Sequence, residues 1–258
     1  MGHPGLDLTS KIAVVIGGTS GIGLTLARGL AEAGAEVVAT GRREDLVRAA
    51  ATSIRATGSR SLAIACDVTR RESIEALHEA VCAEFDHVDI LVNSAGTTKK
   101  TPSLEVSEEE WYGIFDTNLT GTLRACQIFG RKMIERQSGR IINIASVSSG
   151  RGFFEVAAYA ASKAGVVSLT KTLAVEWAKH NICVNAIAPG VFRTDLNKAL
   201  LDGTLRGQEF LMRTPMKRFG SLEELVGAAV FLASDAASFV TGHVLTVDGG
   251  FLASGVNQ

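Results

Sequence analysis

The chain has 258 residues, 46% of them apolar and 21% charged, enough to bury one large core rather than two small ones. A formal net charge of -1 excludes a strongly basic nucleic-acid or anionic-membrane binder. No apolar run approaches the ~20 residues of a membrane span, and no basic region followed by an apolar block opens the chain, so neither an anchor nor a secretory leader is expected.

Strand-sized runs at 12–16, 36–40, 61–65, 89–92, 140–145, 182–188 and 244–247 alternate with stretches at 22–33, 44–57, 71–85, 108–136, 156–179 and 222–233 that repeat apolar residues at helical spacing. The alternation predicts an α/β fold, a doubly wound parallel sheet of seven strands with helices on both faces, filling residues 1–258 as a single domain. The stretch 192–220, opened by a Pro189-Gly190 turn and holding Gly203 and Gly207, breaks this rhythm. It is expected to be a lid over the substrate, with a helical excursion packed on the surface as the other reading.

The first chemical signal is Gly17-Gly18-Thr19-Ser20-Gly21-Ile22-Gly23, which joins the first strand to the first helix. A turn without Cβ atoms lets a pyrophosphate approach the backbone, and the helix-start amides meet its charge. A P-loop is excluded because Leu24 stands where its lysine would be. At the tip of the second strand, the acidic residue expected of an NAD-preferring fold is missing, and Arg42 and Arg43 stand there instead. Two guanidinium groups suit a 2′-phosphate, so NADP(H) is favoured over NAD(H); solvated helix-start residues are the alternative.

Asp67, Asn93, Ser146 and Pro189-Gly190 then end successive strands, and in a parallel sheet those ends share the edge that carries the glycine loop. Tyr159 and Lys163, four residues apart, lie on one face of a helix. A cation held beside a phenol favours the phenolate, so Tyr159 is expected to exchange a proton near neutral pH. Next to a dinucleotide-type loop, that device reads as hydride transfer between a nicotinamide and a carbonyl or alcohol carbon. Cys66, Cys82, Cys126 and Cys183 are scattered without a CxxC pair, and the histidines are equally dispersed, so free thiols, a cytoplasmic location and no metal site are expected.

With Gly17, Gly21 and Gly23, Cys66-Asp67-Val68, Asn93-Ser94-Ala95-Gly96, Asn118, Ser146, Tyr159 and Lys163, Pro189-Gly190 with Thr194, and Asp248-Gly249-Gly250 in this order, the chain resembles the short-chain dehydrogenase/reductase family over essentially its whole length. The resemblance implies a Rossmann-type catalytic domain. In it, Tyr159 is the general acid/base, Lys163 lowers its pKa and holds the nicotinamide ribose, Ser146 orients the substrate oxygen, and Asn118 keeps a water on the proton path. It also implies a cofactor cleft formed by Gly17, Thr19, Ser20, Gly21, Ile22, Gly23, Arg42, Arg43, Asp67, Val68, Asn93, Ala95, Gly96, Pro189, Gly190 and Thr194. Asp67 would bind the adenine, and Thr194 the carboxamide. Ile16 and Ser94 replace the family's usual Thr and Asn, which bears on the stability of the loop and central strand rather than on chemistry.

The branch resembled is that of the gluconate 5-dehydrogenases and 2-deoxygluconate dehydrogenases, through Lys99-Lys100 and the Phe251-Leu252-Ala253-Ser254-Gly255 tail. One or both lysines would meet a substrate carboxylate, unless the pair is a solvated loop. Phe153, Phe154 and Phe192 are expected to add an apolar wall, which also suits an acyl chain. The expected function is an NADP(H)-dependent oxidoreductase acting on a secondary alcohol or ketone, including a sugar acid such as gluconate. The alternatives are a 3-oxoacyl thioester (acyl-carrier-protein) reductase and, from another class, a non-catalytic nucleotide-sensing regulator. The 156–179 helix is apolar beyond one stripe, which suggests a subunit interface shared with 108–136. Family resemblance implies a homotetramer, with the 251–258 tail reaching a neighbouring subunit.

Overall fold

A computed structural model describes residues 4–194 and 197–255 of the chain. Among them, six strands form one parallel sheet: β1 (Ile12–Ile16), β2 (Glu36–Thr40), β3 (Ile90–Asn93), β4 (Gly139–Ile144), β5 (Ile182–Pro189) and β6 (Val244–Val247), in the order β2-β1-β3-β4-β5-β6. The helices are α1 (Gly21–Glu32), α2 (Glu44–Arg55), α3 (Arg71–Phe85), α4 (Glu108–Phe115), α5 (Gly121–Arg136), α6 (Ala157–Trp177), α7 (Lys198–Leu201), α8 (Leu205–Arg213) and α9 (Val226–Ala233). The strands are apolar on both sides because both faces are covered. Ala13 and Val15 of β1 join a core with Leu26 and Leu30 of α1, Ile54 of α2 and Leu232 of α9. Ile12, Val14 and Ile16 point the other way, into a core with Leu77 of α3, Phe129 of α5 and Leu173 of α6.

The expected seventh strand at 61–65 does not form. The segment runs beside the open edge of β2, anchored by Val37 N donating to Arg60 O and Cys66 N to Gly41 O. Between those anchors the Ile64 carbonyl is taken by the Thr40 hydroxyl instead of a backbone N–H, so no ladder closes. The 108–136 helix is continuous but carries a π-turn at Asp116–Thr120, where Asn118 is wholly buried. The 156–179 helix ends as a 3-10 turn, Ala178–His180, and 222–233 begins as one, Leu222–Leu225, held by a capping box between Ser221 and Glu224.

The 192–220 stretch folds into α7 and α8. Its base is pinned where Phe192 bridges to Gly220 and Gly220 N donates to Val191 O. Phe192 is only 5% exposed, a burial that contributes about 2–3 kcal/mol. Because the chain runs from β1 to β2 on one side and returns to β3 on the other, a crevice opens at the carboxyl ends of β1 and β3, where open α/β sheets take their ligands.

Candidate active site

The glycine loop occupies that crevice. Gly17 N and Gly18 N both donate to Thr40 O, at 2.8 and 2.9 Å, tying the loop to the tip of β2. Gly17 has φ +80°, and a Cβ there would lie 2.4 Å from Ala95 N; a Cβ on Gly23 would lie 2.1 Å from Gly17 O. Loop and 93–96 turn therefore pack backbone on backbone, as only glycine allows. Ser20 caps α1 from an extended backbone, but its hydroxyl makes no capping bond, which leaves the first amides of α1 able to receive a phosphate. Thr19 stands against Gly41, and the Thr194 methyl faces the Cβ position of Gly21 at 3.7 Å. Gly190 donates to Val247 O and packs on Asp248, fixing the turn that delivers Thr194.

Arg42 and Arg43 are exposed beyond β2. Burial raises the Asp67 carboxyl, but the Thr69 N–H and hydroxyl, with Arg42 and Arg70 nearby, hold it below the ordinary value. Arg42 and Asp67 are thus neighbours at one end of the crevice. The side chains of three expected cofactor residues turn elsewhere. Val68 is buried against Gly121, and Ile22, in the first turn of α1, packs its side chain on the core while its amide stays among those at the helix start. Asn93 points into the sheet, donating to Asn143 Oδ1 at 2.9 Å and to Cys126 Sγ, while Asn143 donates to Thr170. That buried chain, absent from the sequence reading, holds β3, β4, α5 and α6 in register.

Tyr159 and Ser146 meet across the crevice, the Ser146 hydroxyl near enough to the phenol to favour its ionised form. Ser146 Oγ already accepts from Ser148 N at 3.1 Å and Ser148 Oγ at 3.0 Å, so its own hydrogen is available to Tyr159. Lys163, 5% exposed, donates to Ile144 O at 2.6 Å and lies 5.9 Å from the centre of the Tyr159 ring. The Cβ position of Gly96 is 3.5 Å from Lys163 Nζ and 3.4 Å from Asn118 Oδ1, which brings the 93–96 turn over both. Asn118 spends its side chain on Thr97 N, Thr97 O and Ser162 Oγ, and Ser162 in turn donates to Tyr159 O. Ser148 and Ser162 position the pair and went unnoticed in sequence because a serine near a strand end or inside a helix carries no spacing signal.

Burial raises the Tyr159 phenol above its ordinary value, and the neighbouring Ser146 hydroxyl opposes that rise. The Lys163 ammonium is bound to the Ile144 carbonyl and is itself pushed down to about 8 by burial. The group of the pair nearest neutrality is the lysine.

The rim also differs from expectation. Lys99 pairs with Glu110 at 2.7 Å and Lys100 with Glu155 at 2.8 Å, so neither is a bare cation. Phe192 is in the core, and Phe154 is 74% exposed, its ring 6.0 Å from Lys100 Nζ. The aromatic wall is instead Phe153, Phe210 of α8 and Phe251, with ring centres 5.4–6.1 Å apart. Phe210 and Phe251 come from segments distant in sequence, and only the folded chain joins them. Among the described residues no His, Cys, Asp and Glu cluster suits a metal, and no helix is long and apolar enough to cross a membrane.

A family model described as enoyl-(acyl carrier protein) reductase matches residues 17–252. The chain is 40% identical over 255 residues to gluconate 5-dehydrogenase of Gluconobacter oxydans, covering 98% of this chain and 100% of that protein. It is also 40% identical over 244 residues to a 3-oxoacyl-[acyl-carrier-protein] reductase of Chlamydia trachomatis, covering 94% of this chain and 98% of that one. A solved gluconate 5-dehydrogenase from Burkholderia cenocepacia, in complex with NADP and tartrate, is 39% identical and superposes with a TM-score of 0.94, covering 97% and 98% of the two chains.

Proposed function

This chain belongs to the short-chain dehydrogenase/reductase family, and we propose that it is an NADP(H)-dependent oxidoreductase that interconverts a secondary alcohol and a ketone on a sugar acid of the gluconate type. The observation that carries this reading is the placement of the Tyr159 phenol beside the Ser146 hydroxyl, with Lys163 next to the ring, on the same sheet edge as the glycine loop. The residues fit a dinucleotide. The Gly17 cradle has no room for a Cβ, the first turn of α1 has no side-chain cap, and Arg42 rather than an acid stands beyond β2. The loop and α1 amides would hold the pyrophosphate, Arg42 with Arg43 the 2′-phosphate, Asp67 the adenine, Lys163 the ribose and Thr194 the carboxamide. When bound there, the nicotinamide supplies or accepts the hydride at the substrate carbon.

In the reducing direction, Tyr159 Oη gives its proton to the carbonyl oxygen as that oxygen gains charge, and Ser146 Oγ–H holds the oxygen in place. In the oxidising direction, the same oxygen returns its proton to Tyr159. Lys163 can replace the proton Tyr159 gives up, since its ammonium loses a proton at about 8. Asn118, its side chain already engaged, can hold a relay water only through the remaining lone pair of its main-chain carbonyl, which also accepts from the Thr122 hydroxyl. The α7–α8 stretch acts as the lid, with Phe153, Phe210 and Phe251 excluding water on one side. We read the enzyme as a cytoplasmic homotetramer, supported by its free thiols and by apolar side chains exposed on α4 and α6.

The match to a 3-oxoacyl-[acyl-carrier-protein] reductase and the aromatic wall favour a thioester reductase as the second reading. The intact Tyr159, Lys163 and Ser146 disfavour a sensor without turnover. Purified protein with gluconate and NADP⁺, with its 5-keto product and NADPH, and with an acetoacetyl thioester and NADPH separates these at the nicotinamide absorbance. Turnover of the sugar acid pair is expected. Turnover of the thioester alone would install the second reading, and no turnover of any would revive the sensor.

A further inference from the structure

Glu155 sits where the segment after Ser146 meets the segment after Gly96. It has φ +60°, a left-handed conformation that a residue with a long side chain seldom takes and that marks functional segments when the surroundings enforce it. The enforcement is visible: its carbonyl accepts from Thr101 N at 2.9 Å, and its carboxylate meets Lys100 Nζ at 2.8 Å. These contacts tie the segment after Ser146 to the segment after Gly96, four residues before Tyr159.

The two rim ion pairs are not equivalent. Glu110 also accepts from the Thr101 hydroxyl at 3.1 Å, and its side chain is 10% exposed. The Glu155 carboxylate is 20% exposed and meets a lysine that is 43% exposed, a class of pair worth about 0–1 kcal/mol. Each of the two rim lysines is matched to a glutamate, so neither ammonium is free to meet an anionic substrate. A substrate carboxylate gains an ammonium only by exchange, and the glutamate that is more exposed and lacks a second side-chain donor, Glu155, is released more cheaply than Glu110. Resting on the sugar-acid reading above, we propose that Glu155 is a specificity-determining residue that occupies Lys100 until the carboxylate of a sugar acid takes its place.

Glu155→Gln keeps the shape and the backbone ties while removing the competing charge. Its KM for the sugar acid is expected to fall by up to about fivefold relative to its KM for an uncharged ketose. The double variant Glu155→Gln with Lys100→Gln should lose that gain, because the ammonium being contested is gone. If the wild type turns over only uncharged ketones, the sugar-acid reading has failed while the exchange can still be measured: gluconate, as a competitive inhibitor, should then bind Glu155→Gln more tightly by the same factor. An unchanged ratio of KM values, an unchanged inhibition constant, or a gain that survives Lys100→Gln would overturn the proposal. Wild-type and variant melting curves that coincide would exclude a folding effect as the cause of any change.

Discussion

Lys163 holds its charge where almost no water reaches it, and burial lowers its pKa from an ordinary 10.5 to about 8. The native state therefore binds fewer protons than the unfolded chain between about 8 and 10.5, so stability rises with pH across that window. Below it, the buried ammonium costs the fold on the order of 3 kcal/mol. Lys163→Met is expected to be inactive yet more resistant to urea at pH 7, with its advantage shrinking as pH climbs through the window; an advantage independent of pH would mean that the charge is not the cost. Tyr159→Phe keeps the ring and removes the exchangeable proton, so kcat should fall by at least about a hundredfold while NADPH still binds. Turnover within a few-fold of wild type would sink the proposed acid/base role. Arg42 acts at the other end of the crevice. Losing a charge-assisted contact of about 1.5–3 kcal/mol, Arg42→Ala should bind NADPH about 10- to 100-fold more weakly, with NADH much less affected when both are titrated by nicotinamide fluorescence.

At the scale of elements, α8 is joined to the rest of the site through Phe210, whose ring meets Phe153 at 5.4 Å and Phe251 at 6.1 Å. Such pairs contribute about 0.5–1.5 kcal/mol each. Phe210→Ala is expected to loosen α8 and, if α8 serves the proposed lid, lower kcat/KM for the ketone about tenfold, with little change in Tm because Phe210 lies outside the two sheet cores. A drop in Tm with unchanged kcat/KM would show α8 to be scaffold instead. The elements themselves were largely legible in sequence, since a β-branched run that is buried on both faces, such as Val14-Val15, has few other conformations open to it. The edge run at 61–65 was not, because the choice between a ladder and a side-chain bond was made by the Thr40 hydroxyl. Likewise, Tyr159, Lys163, Ser146 and the glycine loop announced themselves by spacing. The rim did not: the partners of Lys99 and Lys100, Glu110 and Glu155, are brought there by α4 and by the segment before α6.

For the whole molecule, the elements that carry the proposed chemistry also present its uncovered apolar surface. Tyr112 on α4 is 64% exposed, Val175 on α6 is 82% exposed, and Leu104 just before α4 is fully exposed. Between α4 and the start of α6 lies a groove of 340 Å³ lined by Val106, Trp111, Tyr112 and Ala157. Phe239, also fully exposed, stands near β6, whose residues are half-buried at the end of the sheet. Two separate apolar regions on one chain suit an assembly with two kinds of two-fold contact, which is how four copies close without leaving either region in water. The expected tail contact falls partly on residues 256–258, which lie outside the described residues. Pairing through α4 would brace the helix that holds Asn118 and, through the groove, the start of the helix that holds Tyr159 and Lys163. Sedimentation at micromolar concentration should give the mass of four chains. Tyr112→Glu, which places a charge in one of the two contacts, should give smaller species whose kcat falls with the fraction dissociated. A wild-type monomer with full activity would rule out the obligate assembly, and dissociated Tyr112→Glu with undiminished kcat would show that the site needs no bracing from a neighbour.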